Sequence, residues 1–313
     1  MDTLNAGQSS APLPEPALNF TLTRTRAAAP LLLRPGRAED AEAAGRICHA
    51  AFAQIAHAHN FPADFPSEQA AIDLLRGLLG RPDFHAVVAE RDGRVVGSAF
   101  LDARDPVAGV GPITVDPAAQ NDAVGRRLVE TVHRLAQQRG AAGVRLVQAA
   151  YHARSLSLYA KLGYAVREPL ACMQGRARGA VPAGCTIRPA RTGDLAECNR
   201  LAARVLHHPR GGALADGIAQ GTAKVVERDG RITGYASAIA FFGHAVGESN
   251  ADLVALIAAA RSIAGPGLLV PLRNQGLFRW CLEHGLRVVQ PMTMMTLGAY
   301  EPPEGAFLPS ILY

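Results

Sequence analysis

The 313-residue sequence is poor in the features that would commit it to a metal, a membrane or a nucleic acid. Cysteine occurs only at 48, 172, 185, 198 and 281, an odd number at wide spacing, and no CxxC is formed. That argues against a disulfide framework and for free thiols in a reducing, cytoplasmic setting. There is no HExxH, and His57 and His59 would point apart on a helix, so no metal is expected. No apolar run reaches the ~20 residues that span a bilayer, so no membrane partner is expected. Aromatic residues make up 5% and none interleave with a basic tract, which discounts nucleic acid. The net charge of +5, from 32 basic and 27 acidic residues, is a small excess that suits an anionic small ligand. The first twenty residues, MDTLNAGQSSAPLPEPALNF, have no basic segment followed by an apolar one. Residues 1–30 therefore read as a flexible tail and not as a secretory leader.

What the chain has is a repeat of itself. LLLRPGRAEDAEAAGRI (31–47) parallels CTIRPARTGDLAECNRL (185–201), so Arg34, Pro35, Arg37, Asp40 and Arg46 recur as Arg188, Pro189, Arg191, Asp194 and Arg200. VVAERDGRVVGSA (87–99) parallels KVVERDGRITGYA (224–236), each a β-hairpin closed by an Asp-Gly turn. A weaker pair, YAKLGYAVREP (159–169) and CLEHGLRVVQP (281–291), aligns Tyr159 with Cys281 and Gly163 with Gly285. Two copies in one order predict two domains of one fold, and QGRARGAVPAGC (174–185) marks the boundary by its Gly, Pro and Arg. Each copy reads as strand, helices, hairpin, strand, helix, strand, helix, strand, which is a mixed α/β layer domain. RNQGLFRWCLEHGL (273–286) reads as a helix with Leu277, Cys281 and Trp280 facing in.

One loop stands out. ITVDPAAQNDAVGRRLVETV (113–132) runs from a strand through small residues into a helix that begins with Arg126 and Arg127. A helix start normally prefers acids, because its free N–H groups and dipole are positive. Arginines behind a small-residue loop instead predict an anion held at that end by backbone N–H groups. VGRRLVETVHRLAQQ (124–138) carries the helix, with Leu128, Val132 and Leu135 at helical spacing.

The stretch Gln120-Asn121-Asp122-Ala123-Val124-Gly125 resembles the Gln/Arg-x-x-Gly-x-Gly/Ala signature of the GNAT superfamily of acetyltransferases. ARSLSLYAKLGYAVREP (153–169) is similar to the later segment of that family, with Leu158, Tyr159, Lys161, Gly163 and Tyr164 in register. The resemblance covers about residues 31–175. It implies two GNAT-type domains, each a mixed, mostly antiparallel sheet flanked by helices: a catalytic domain over 31–175, a linker over 176–184 and a degenerate copy over 185–313. It also implies direct acetyl transfer from acetyl-CoA to the amine of a small molecule or peptide, by a monomer or homodimer. Cofactor-binding residues carried over are Ile113, Thr114 and Val115 on the strand, Gln120, Asn121, Asp122, Ala123, Val124, Gly125, Arg126 and Arg127 at the loop and helix start, and His152 and Ser155. Tyr159 is the expected acid for the leaving thiolate. Candidate bases are His57, His59, Asp102 and His152. Two departures from the family pattern matter. Ala123 stands at a glycine position, so it needs negative φ or some strain, and His152 stands where asparagine is usual. In the second copy Glu248 replaces the expected neutrality and no Arg-Arg pair follows. The alternatives left open are a non-catalytic acetyl-CoA sensor and transfer of a longer acyl group. The loop Asn60-Phe61-Pro62-Ala63-Asp64-Phe65-Pro66 lies where the family places acceptor-binding segments, and its residues read first as a turn capped by its own aromatic side chains.

Overall fold

Arg34 and Arg188 explain why the two copies open alike. Arg34 forks onto Asp40, both contacts 2.8 Å, and its Nε donates to Glu90 at 2.8 Å. Arg188 repeats this on Asp194 at 2.7 and 2.9 Å and on Glu227 at 2.8 Å. Each aspartate also accepts the backbone N–H of Arg37 or Arg191, which fixes the turn into the following helix. The guanidinium fork holds both carboxyls below the usual range.

The computed structural model of the chain describes residues 30–313, so nearly all of the expected N-terminal tail lies outside the described residues. The first half consists of β1 (Leu32–Pro35), α1 (Ala41–Ala58), α2 (Glu68–Leu79), β2 (Phe84–Arg91), β3 (Arg94–Asp102), β4 (Val107–Val115), α3 (Val124–Gln138), β5 (Gly143–Ala149), α4 (Ala153–Lys161) and β6 (Ala165–Gly175). The second half consists of β7 (Thr186–Pro189), α5 (Leu195–Leu206), α6 (Gly212–Ala219), β8 (Lys224–Arg228), β9 (Arg231–Ala236), β10 (Ala245–Gly247), α7 (Asn250–Ala258), β11 (Leu268–Pro271), α8 (Gln275–Glu283), β12 (Leu286–Gly298) and β13 (Ala306–Leu308). The β2–β3 and β8–β9 hairpins turn at Asp92-Gly93 and Asp229-Gly230, all four with positive φ, as the repeated Asp-Gly predicts.

The strands form an eight-stranded sheet, β1-β2-β3-β4-β5-β12-β6-β11, and a five-stranded sheet, β13-β10-β9-β8-β7. Every pair of named strands is antiparallel except β4 with β5. The large sheet crosses the repeat boundary. β12, from the second half, lies between β5 and β6 of the first, with Met292 to Gly298 against Ala149 to Gly143. On its other side β6 pairs with β11. Each half has thus given its last long strand to the other, although residues 176–184 between them carry no helix or strand.

α3 buries Leu128, Val129 and Val132 on one face of the large sheet, together with Tyr159 and Tyr164 from the α4 segment. Leu135, expected inward, is only partly covered. In the second half α7 and α8 pack Leu253, Leu256, Leu277 and Cys281 into a separate core. Trp280 is half-buried and stacks on His284 with ring centres 4.3 Å apart, so it lies at the rim of that core. Residues Ile311 to Tyr313 return to the first half, where the Leu312 carbonyl crosses so close over Gly109 that any Cβ there would collide. No helix among the described residues is long and apolar enough to cross a membrane.

Candidate active site

The site begins where β4 and β5 part. They pair only from Val107–Gly109 to Gly143–Arg145. Past that point β4 stays bonded to β3 on one side, with Ile113, Thr114 and Val115 opposite Ala99, Ser98 and Gly97. No described strand pairs with the other edge of Ile113–Val115. Pro112, which lacks an N–H, sits at the parting. A free strand edge bounded by a wedge is a place for an extended ligand to add its own amide groups.

The loop that follows delivers an uncapped helix. α3 starts at Val124 with Ala123 as its N-cap, and no side chain caps it. Ala123 adopts φ 58° and ψ 10°, and Asn121 has φ 75°, so of the two options for Ala123 the chain takes the strained one. A left-handed alanine costs roughly 1–2 kcal/mol. The N–H groups of Asn121 to Arg126 donate to no described residue. The Arg127 N–H is already used by the Ala123 carbonyl at 3.1 Å. Arg127 is exposed, and Arg126 lies 3.7 Å from Glu130. The one acid of the loop, Asp122, is tied to Arg91 at 2.7 Å. Gln120 accepts from Arg154 at 2.8 Å, which joins the loop to α4. A Cβ on Gly125 would stand 3.6 Å from both Val115 and Leu158, so strand end, helix start and α4 meet at this point.

Tyr159 is one residue beyond that contact. Its ring is buried and burial pushes its pKa up, so the phenol is protonated at neutral pH. No described residue hydrogen-bonds its hydroxyl, and that oxygen is not among the sealed, partnerless atoms of the interior. His152 is the N-cap of α4 but makes no side-chain cap bond. Burial, then Arg154 and His59, lower its pKa, which keeps the ring neutral. Ser155 donates to Gln148 at 2.9 Å.

The four candidate bases divide. Asp102 is bound to Arg104, which also reaches Asp216 of the second half, so its carboxylate serves the joint between halves. His57 is exposed, and His59 lies against the backbone carbonyl of Ile55 at 3.0 Å. One further titratable group lies outside those four. Asp64, half-buried in the α1–α2 loop, accepts from Gln290 of β12 at 3.0 Å. Phe61 from the same loop stacks on Tyr151, 4.2 Å between centres, just beyond β5. The loop therefore docks over the end of β5 and does not close only on its own aromatics, although Phe52 and Phe65 do pack at 6.0 Å.

The second half has the same parts, already filled. Its strand β10 matches Ile113–Val115, yet its outer edge is paired with β13, Val246 opposite Phe307. Its helix α7 is capped by Ser249 with Asp252 in a reciprocal box. Asp252, fully buried, stands in the helix where Arg126 stands in α3, and Arg228, Thr233 and Ser249 donate to it. What remains of the cleft is about 360 Å³, walled in part by Ala306 and Phe307 of β13.

Residues 52–164 match the acetyltransferase (GNAT) family. A fold of the same kind is repeated in the second half. It is 36% identical over 94 residues to an IAA acetyltransferase of Azospirillum brasilense, a match covering 29% of this chain and 61% of that relative. Two solved structures share its fold over most of its length. A GCN5-related N-acetyltransferase from Sphaerobacter thermophilus has a TM-score of 0.58 at 17% identity, covering 88% of this chain and 98% of its own. A tandem GNAT protein from the clavulanic acid biosynthesis pathway has a TM-score of 0.51 at 17% identity, covering 87% and 100%.

Proposed function

We propose that the protein is an acetyl-CoA-dependent N-acetyltransferase whose first half carries the reaction and whose second half is a structural partner. The carrying observation is the contrast between the halves. Ile113–Val115 keeps a free edge beside an uncapped helix start, and the matching edge and helix start of the second half are filled by β13 and Asp252. The free edge suits the amide-bearing pantetheine arm, and the N–H groups of Asn121 to Arg126 suit the pyrophosphate, with Arg126 and Arg127 adding charge at the mouth. His152 and Ser155, at the start of α4, are assigned to the same ligand. Acetyl-CoA supplies an activated acetyl thioester. The acceptor amine attacks as the neutral base, so its ammonium form (pKa about 10.4 if lysine-like) first loses a proton. The Tyr159 phenol, protonated and without another partner, gives a proton to the departing thiolate. The match to an acetyltransferase supports acyl transfer in general, and the choice of acetyl and of an amine is the proposal.

The test is calorimetry with acetyl-CoA followed by a free-CoA release assay on a panel of amines. One acetyl-CoA bound per chain with CoA release on at least one amine supports the reading. Binding without release on any amine would instead favour a sensor.

A further inference from the structure

We propose that the Asp64 carboxylate receives the ammonium group of the acceptor and takes its proton, with Gln290, delivered by β12, as the residue that positions it. The inference deepens the amine-acetylation reading and rests on it.

Asp64 is provided for on one side only. Its Oδ1 accepts from Gln290, and Gln290 in turn accepts the Tyr151 hydroxyl at 3.1 Å. A carboxylate has about four lone-pair sites, and no other described residue donates to this one. Gln290 is 1% exposed and sits at an irregularity in the β12–β6 ladder, just after Val288, where the register slips and Gln290 comes opposite Cys172. Such bulges re-aim side chains beside active sites. The groups that face Asp64 are Cys48 from α1, Tyr151 beyond β5 and Cys172 from β6, and burial pushes each of their pKa values up, so all three are neutral at pH 7. His59 packs beside Tyr151, with ring centres 5.3 Å apart. No described arginine or lysine pairs with Asp64. Burial raises its pKa and the Gln290 bond is the one influence that lowers it. A carboxylate withdrawn from water without a cation is costly, and the missing cation is what an ammonium-bearing acceptor brings. The stacked rings of Phe61 and Tyr151 give that cation an aromatic wall.

The protons balance. One ammonium proton passes to Asp64 and on to water. The amine nitrogen bonds to the acetyl carbon as the C–S bond breaks. A second proton leaves the nitrogen to water while Tyr159 gives its own to sulfur and regains one from water. The third stays on the amide.

The variants are Asp64→Asn and Gln290→Leu, assayed for CoA release with spermidine, lysine and an alanine-terminated peptide. Acetyl-CoA should protect both variants from heat as well as wild type. Asp64→Asn should lose at least about 100-fold in kcat/KM. In Gln290→Leu the acidic limb of the pH profile should move to higher pH, because the lost donor no longer stabilises the carboxylate; a merely structural role would not move it. A readout without acceptor completes the set. An acid whose pKa is raised on folding destabilises the fold above that pKa. Asp64→Asn should therefore raise Tm at pH 8 and not at pH 4. Wild-type turnover retained by Asp64→Asn, or a fall in its Tm at pH 8, overturns the assignment of Asp64 alone. Failure of acetyl-CoA to protect wild type overturns the transferase reading, and the Tm comparison still decides whether Asp64 is an uncompensated anion.

Discussion

Val246 and Phe307 are register partners across two antiparallel strands, and their pairing uses the strand edge that stays free at Thr114 in the first half. A strand edge accepts one neighbour. Titration of the protein with acetyl-CoA should therefore give one site per chain. Two equal sites by calorimetry would show that β13 leaves its place.

Gly125 distinguishes steric from structural effects in the loop proposed to hold the pyrophosphate. A Cβ there makes only ordinary contacts at 3.6 Å, so Gly125→Ala should keep both fold and acetyl-CoA binding. Gly125→Glu puts a carboxylate among the N–H groups proposed to hold phosphate and should abolish heat protection, at a cost of several kcal/mol for like charges brought together. Equal protection of wild type and Gly125→Glu would place the cofactor elsewhere.

Ala123 offers the opposite change. Glycine at φ 58° removes the left-handed penalty of roughly 1–2 kcal/mol and returns part of it as unfolded-state entropy. Ala123→Gly should thus stabilise the fold by on the order of 0.5–1 kcal/mol and leave acetyl-CoA affinity equal or higher. A lower Tm in thermal melts would count against the assigned backbone.

Tyr159→Phe keeps the ring packed against Tyr164 and deletes only the hydroxyl. Loss of a general acid typically slows the reaction about 10²–10⁴-fold. The loss should fall on kcat, with acetyl-CoA affinity and Tm nearly unchanged. Cys281→Ala, at the matching place in the second half, should lower Tm through its buried site and leave kcat near wild type. Near-normal turnover of Tyr159→Phe with chemistry rate-limiting would make Tyr159 a packing residue.

The exchanged strands predict how the halves behave apart. Residues 30–180 expressed alone lack β12 and should fail to unfold cooperatively, whereas coexpression with 181–313 should restore a soluble, sharply melting complex. A first half that melts cooperatively by itself would show that β6 closes onto β5 without help.

Much of this was legible in the residues. The α3 span Val124–Gln138, both Asp-Gly hairpins and the paired Arg34 and Arg188 openings follow from local pattern, because each depends on neighbours in the chain. The free N–H groups ahead of α3 were readable too, from a helix start without an acid. What local pattern does not encode is which strand a strand will choose. Leu286–Gly298 reads as a strand in any partner's company, and only the assembled sheet places it against β5. The same limit hid Asp64, whose hydrogen-bond partner Gln290 lies 226 positions away. β13 is not legible in the sequence, because three residues, Ala306–Leu308, carry too little periodicity.

The position of β12 also sets a clock on biosynthesis. On the ribosome β5 emerges roughly 140 residues ahead of the strand that completes its edge. At ~5–20 residues per second that is a wait on the order of ten seconds. During it the nascent first half exposes an unfinished, apolar sheet edge of the kind that recruits other chains. Translation rate and chaperone supply should therefore govern the yield of this protein more than its final stability does, and synonymous changes that slow elongation between β6 and β12 would lengthen the exposure without altering a single residue.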